Sequence, residues 1–105
     1  MAIEARQEFR RGTIILPVLL GLRCTQHGYP LRQMLETHGL KIDEGTLYPL
    51  LHRLEAKGLV KSERCRERGR TRRLLSLSGK GREYVDLLIA EWKQTNTRLG
   101  ELLRK

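Results

Sequence analysis

Three histidines, two cysteines and a glycine–lysine run are the residues of this 105-residue chain with the chemistry for catalysis or metal binding. Histidine catalysis needs a carboxylate or a nucleophile held beside the ring. His27, His38 and His52 belong to no such constellation. Cys24-x-x-His27 is half of a zinc site, but no second ligand pair at matching spacing follows it. The run Ser76 to Gly81, SLSGKG, resembles a phosphate loop only until its spacing is checked. Leu74 stands where the first glycine belongs, and Gly81 follows the lysine where Ser or Thr is required. The expectation is therefore no catalytic residue, no metal and no cofactor, with Cys24 and Cys65 as reduced thiols of a cytoplasmic protein.

Charge is the chemistry that remains. The formal net charge is +9 and the pI about 10.3, a balance suited to nucleic acid or another anionic partner. Its distribution is uneven. Lys61 and the arginines at 64, 66, 68, 70, 72 and 73, set against Glu63 and Glu67, give a net of +5 within thirteen residues. Arginines so concentrated neutralise phosphates or enter a narrow minor groove, which makes binding steeply salt-dependent. Arg68, Arg70, Arg72 and Arg73, with Gly69 among them, are the candidates for such contacts.

A second candidate surface precedes this stretch, in Gly45 to Val60, GTLYPLLHRLEAKGLV. At about 100° per residue, Leu47, Leu50, Leu51 and Leu54 share one helical stripe suited to a core. Gly45, Tyr48, Pro49, His52 and Ala56 lie opposite, flanked by Thr46 and Arg53. An ordinary solvated face would be rich in Glu, Lys and Gln; this one is small, flat and aromatic. Pro49 costs about 3 kcal/mol in mid-helix and less near a start, which places the helix N-terminus close by, with Asp43 as N-cap. Free amides and a positive helix end there suit a phosphate or a base edge, and recognition helices enter the major groove by their first turns.

The elements that position these residues follow from the punctuation. One domain's worth of chain has enough apolar content for a single core. A first helix is expected from about Arg11 to Arg23, left through Thr-Gln-His-Gly. A second covers GYPLRQMLETHG, with Leu31, Leu35 and Met34 as its stripe and Gly39 as its stop. Leu40, Lys41 and Ile42 cross to the third helix, which ends at Gly58. LVKSE and RRLLSLS are β-prone and flank RCRERGRT, read as a hairpin loop containing Gly69. Ser78 can cap a last long helix. The order helix, helix, helix, strand, strand, helix defines a mainly α (α+β) winged helix-turn-helix with a C-terminal helix added. Residues 1–78 form the winged helix-turn-helix, its wing at about 59–77, and residues 79–105 the added helix.

Arg10 and Arg11 before the apolar run TIILPVLLGL, with Cys24 beyond, imitate a secretion signal. The run has only ten residues, Arg23 stands where a small residue is needed, and the length is far too short for a bilayer. It reads as a buried helix, and no membrane role is expected. On the last helix Gly81, Tyr84, Leu88, Trp92, Thr95, Leu99 and Leu102 follow at spacings of three and four, a rough coiled-coil seam that needs a partner.

Taken together, HGYPLRQML, GTLYPLLHRLEAKGLVKSE, the Arg/Gly stretch and LSLSGKGRE resemble the PadR family of bacterial transcriptional regulators, from about Arg11 to beyond Trp92. The resemblance implies a homodimer that binds a pseudo-palindromic operator in double-stranded DNA and usually represses. It implies DNA contacts by Thr46, Leu47, Tyr48, Pro49, His52 and Arg53, with Tyr29 near the backbone and the Gly69/Arg70 region as wing; Lys41, just ahead of the third helix, joins the DNA-facing set. The dimer seam would use Tyr84, Leu88, Trp92, Thr95, Leu99 and Leu102. Some multidrug-sensing relatives hold a hydrophobic or aromatic small-molecule effector between subunits, which here would place Trp92 and Asn96 beside Ile15 and Leu19. The chain departs from the family at the end of the second wing strand, where one or two tyrosines followed by a Leu-Thr pair are common and Leu74, Leu75, Leu77 and Ser78 stand here. The competing reading is a winged-helix adaptor that binds protein and not DNA; six arginines in the wing speak against it.

Overall fold

Pro17 decides how the chain begins. In the computed structural model the helix expected from about Arg11 to Arg23 is broken by a bend at Ile14: its start belongs to α1 (Ala2–Thr13), most of which lies ahead of the expected span, and its body is α2 (Ile15–Gly21). A residue-17 amide would have bonded the Thr13 carbonyl, and proline has none. The Thr13 hydroxyl instead donates to the Phe9 carbonyl at 3.0 Å. The structure describes the backbone of residues 1–105 and every side chain except those of residues 6–8, 10 and 11. The basic pair Arg10 and Arg11 thus lies outside the described side chains.

Then come α3 (Gly28–Thr37), α4 (Glu44–Ala56), β1 (Val60–Glu67), β2 (Arg70–Leu77) and α5 (Gly79–Leu103). Gly39 and Gly58 sit at φ 84° and 77°, the left-handed conformation that stops α3 and α4. Leu40 N bonds back to Leu35 O at 2.8 Å, and Leu59 N to Leu54 O at 3.0 Å. The leucine stripe of α4 is buried as its spacing requires, and it meets Val18 and Leu19 of α2, Leu22 just after it, Leu31 and Leu35 of α3, and Leu75 and Leu77 of β2 in one core. Each fully buried leucine stabilises the fold by about 1.5–3 kcal/mol. Leu75 and Leu77 both belong to this core, so the wing's base is apolar.

The hairpin is longer and its loop shorter than expected. β1 and β2 pair antiparallel from Val60↔Leu77 to Glu67↔Arg70, so most of RCRERGRT is strand. Only Arg68 and Gly69 turn, at φ 50° and 76°, the two positive angles of the tight turn that matches strand twist. The apolar pair at the base sets the register and the turn closes it, which leaves Arg68 exposed in the turn and the other arginines on exposed strand positions. A further pairing is hidden in the exit from α2: Gln26 bridges Leu75, donating to its carbonyl at 3.0 Å and accepting from its amide at 2.8 Å. Residue 26 is thereby a third, one-residue strand of the wing.

Ser78 caps α5, its hydroxyl accepting from Gly81 N at 2.9 Å. Gly81 is buried, and a Cβ there would run into the Leu59 carbonyl. It is a packing residue beneath the wing and does not belong to the exposed seam in which its spacing had placed it. From Ala90 to its end at Leu103, α5 is exposed except at Gly100. Among the described residues no helix is long and apolar enough to cross a membrane.

Candidate nucleic-acid interface

Asp43 stands at the N-cap of α4 with extended backbone, and its carbonyl accepts from Thr46 N and Leu47 N at 3.1 and 3.0 Å. Its carboxylate, however, accepts from the Thr46 hydroxyl at 2.7 Å and caps no amide. Thr46 is exposed with both its hydroxyl and its amide engaged by Asp43. Arg32 of α3 pairs with Glu44 at 2.9 Å and donates from Nε to the Ile42 carbonyl at 3.3 Å, fixing the angle between α3 and α4. Pro49 is the sixth residue of α4, so the amide it lacks would have reached Gly45 in the exposed first turn. Water can satisfy that carbonyl, which keeps the penalty small.

Thr46, Pro49, His52 and Arg53 are exposed, as are Lys41 and Tyr29, the last at 61%. Leu47 is the exception: it is 0% exposed and belongs to the core with Leu50, Leu51 and Leu54. Its side chain cannot meet DNA, a correction that its place on the apolar stripe already required. Tyr48 is 37% exposed because its ring leans on the start of α3. A Cβ on Gly28 would lie 2.8 Å from the Tyr48 ring carbon Cε1.

Three elements converge here. A hollow of about 370 Å³ is lined by His27, Gly28 and Tyr29 at the start of α3, by Tyr48, Leu51 and His52 of α4, and by Arg72, Arg73 and Leu75 of β2. His27 holds the wing side of it. Its Nδ1 donates to the Arg73 carbonyl at 2.9 Å, and its Nε2 lies 3.6 Å from Glu67 Oε1. Glu55 of α4 accepts from the Ser62 hydroxyl at 2.6 Å and lies 3.7 Å from the Arg73 guanidinium. Arg68, Arg70 and Arg72 border a second hollow of about 340 Å³ at the wing tip, with Glu67 the acid beside them. The sequence reading missed His27, Gly28 and Glu55, whose roles exist only through partners distant in the chain; the position of His27 just ahead of a helix was the available signal.

The seam residues of α5 fall into two groups. Leu88 is half-buried against the core. Tyr84, Trp92, Thr95, Leu99 and Leu102 are exposed, and Leu87 and Leu103 add exposed apolar surface beside them. The anticipated effector residues are only partly brought together. A groove of about 670 Å³ between α2, α3 and α5 is lined by Leu16, Pro17, Leu20, Met34, Ile89 and Trp92 among others, but not by Ile15, Leu19 or Asn96. Leu19 is fully buried. The bend ahead of Pro17 sets the phase of α2, so the residues one step on, Leu16 and Leu20, face the groove. Among the described residues no three His, Cys, Asp or Glu side chains gather where a metal could sit.

Three packed helices, a two-stranded wing following the third, and a long C-terminal helix define a winged helix-turn-helix transcriptional regulator. Residues 15–87 match the model of the transcriptional regulator PadR-like family. The chain belongs to that family. It is 43% identical to transcriptional regulator Rv3488 of Mycobacterium tuberculosis over 77 residues, 72% of each chain. Its fold superposes on a PadR family transcriptional regulator from Eggerthella lenta with a TM-score of 0.91 and 34% identity, covering 97% of this chain and 91% of that one. A PadR-like transcriptional regulator from Bacillus cereus gives a TM-score of 0.82 at 25% identity, covering 93% of this chain and 98% of that one.

Proposed function

We propose that this regulator is a cytoplasmic, non-enzymatic homodimer that binds a pseudo-palindromic operator in double-stranded DNA and represses transcription by occupying it. Residues 1–78 would contact DNA and residues 79–105 would hold the two subunits together. The observation that carries the reading is the shared surface of α4 and the wing. Tyr29, Tyr48, His52, Arg72 and Arg73 border one hollow, beside a wing with a net charge of +5. Near α4's outer face Glu44 pairs with Arg32 and Glu55 with Arg73, while Asp43 is bonded to the neutral Thr46 hydroxyl, so two of these three carboxylates are charge-compensated. On this surface α4 enters the major groove, and Arg68, Arg70 and Arg72 follow the backbone.

Dimerisation through α5 is supported by the exposed apolar residues Trp92, Leu99 and Leu102, which water covers poorly in a single chain. The groove beside Trp92 would receive a hydrophobic or aromatic effector, releasing DNA only if that effector prefers one spacing of the two α4 helices. A gel shift with DNA from upstream of the protein's own gene tests the central statement. Retardation that survives competition by unrelated DNA supports operator binding, whereas no retardation at low salt refutes it in favour of a protein adaptor.

A further inference from the structure

The contact between Gly28 and Tyr48 has no role in holding the core, since both residues lie outside it. Gly28 is the first residue of α3, directly after His27, and its backbone needs no glycine: it is not among the glycines at positive φ. Conformation therefore does not explain the absence of a side chain. Space does. A Cβ at this position would stand 2.8 Å from Tyr48 Cε1, 3.3 Å from its hydroxyl oxygen and 3.5 Å from Cζ, so the first of these contacts requires the ring to move. The obstacle is the outer end of one side chain, which can swing without disturbing the backbone of either helix.

The same residues line the hollow between α3, α4 and the wing, where His27 is bonded to the Arg73 carbonyl. Moving the ring away from α3 would shift its hydroxyl within this hollow, which His52, Arg72 and Arg73 also line. We infer that Gly28 is a positioning residue for DNA recognition: its missing side chain lets the Tyr48 ring rest against the start of α3, which fixes where the phenol hydroxyl is presented. This rests on the reading of α4 and the wing as a DNA-binding surface.

The test is a double-mutant cycle on Gly28→Ala and Tyr48→Ala with the full chain, read by titrating DNA from upstream of its own gene. Gly28→Ala should weaken binding about tenfold, the scale of one lost recognition contact, while the thermal midpoint and dimer state stay those of the wild type. In the Tyr48→Ala background Gly28→Ala should change affinity less than twofold, because no ring remains to be displaced. NMR gives a readout independent of DNA: a nuclear Overhauser contact between the Gly28 α-protons and the Tyr48 ring in the wild type, with the ring resonances shifted in Gly28→Ala. Equal affinity of wild type and Gly28→Ala overturns the inference, and so does an equal loss with and without the Tyr48 ring. If the NMR contact is present but the wild type retards no DNA at low salt, the DNA-binding reading has failed and the inference falls with it. If the wild type binds DNA but the contact is absent, the positioning role alone is refuted.

Discussion

The wing tip permits a worked prediction about salt. Arg68 and Arg70 flank Gly69 at exposed positions, and among the described residues no acid forms an ion pair with either, whereas Glu55 lies 3.7 Å from Arg73. If each meets one phosphate, a dimer makes four such contacts, and removing them flattens the slope of log affinity against log salt by about 3.6. Between 50 and 200 mM salt a wild-type complex would then lose roughly 150-fold more affinity than the variant, the fourfold change raised to that slope. Arg68→Asn with Arg70→Gln is the suitable pair: Arg68 has φ 50°, and asparagine tolerates that conformation better than alanine. Fluorescence anisotropy with operator and unrelated duplexes at four salt concentrations gives the slopes. The loss should be similar for both duplexes, because phosphate contacts carry no sequence. Parallel slopes for wild type and variant would refute the placement of the tip on the backbone. Arg73→Gln serves as the internal contrast, with a smaller change in slope because Glu55 already compensates part of its charge.

Three further outcomes are expected. Leu47→Ala should destabilise the fold by about 2–5 kcal/mol in urea unfolding, as a core leucine does; unchanged stability with lost DNA binding would return Leu47 to the recognition set. Gly81→Ala should cost about 1–3 kcal/mol, since the added methyl presses on the Leu59 carbonyl and strains the Ser78 cap, and denaturation midpoints measure it. Trp92→Ala with Leu102→Ala should shift sedimentation toward the monomer at micromolar concentration while circular dichroism keeps its helical signal; an undisturbed dimer would move the interface away from α5.

What could be read in advance was what local chemistry decides. The α4 stripe, the stops at Gly39 and Gly58 and the Ser78 cap each depend on residues within a turn of one another, and all stand where the pattern put them. The wing strands were underestimated because alternation of apolar and polar residues, the usual strand signal, is absent from RCRERGRT. Its strand character comes from pairing alone, Arg64 facing Arg73 and Cys65 facing Arg72. The break at Pro17 was legible in principle, but the apolar run hid it; the α2 face was then set one residue out of phase. His27, Gly28 and Glu55 depend on tertiary partners up to 46 residues away, beyond the reach of spacing. Gly81 looked like a seam residue because helical periodicity shows which side a residue is on, not what stands against it.

The backbone clamp between Gln26 and Leu75 has a mechanical consequence. Two hydrogen bonds between Gln26 and Leu75 and one from Leu77 N to the Leu22 carbonyl fasten β2 to the segment leaving α2, and His27 adds a fourth to the Arg73 carbonyl. The wing is thus geared to α2 as well as hinged on α4. Leu16, Pro17 and Leu20, on the groove side of α2, lie on the same lever. On the proposed DNA-binding reading, a push on α2 from the groove would tilt the arginine-bearing hairpin relative to α4 and so change the gap that the two would bridge along a duplex.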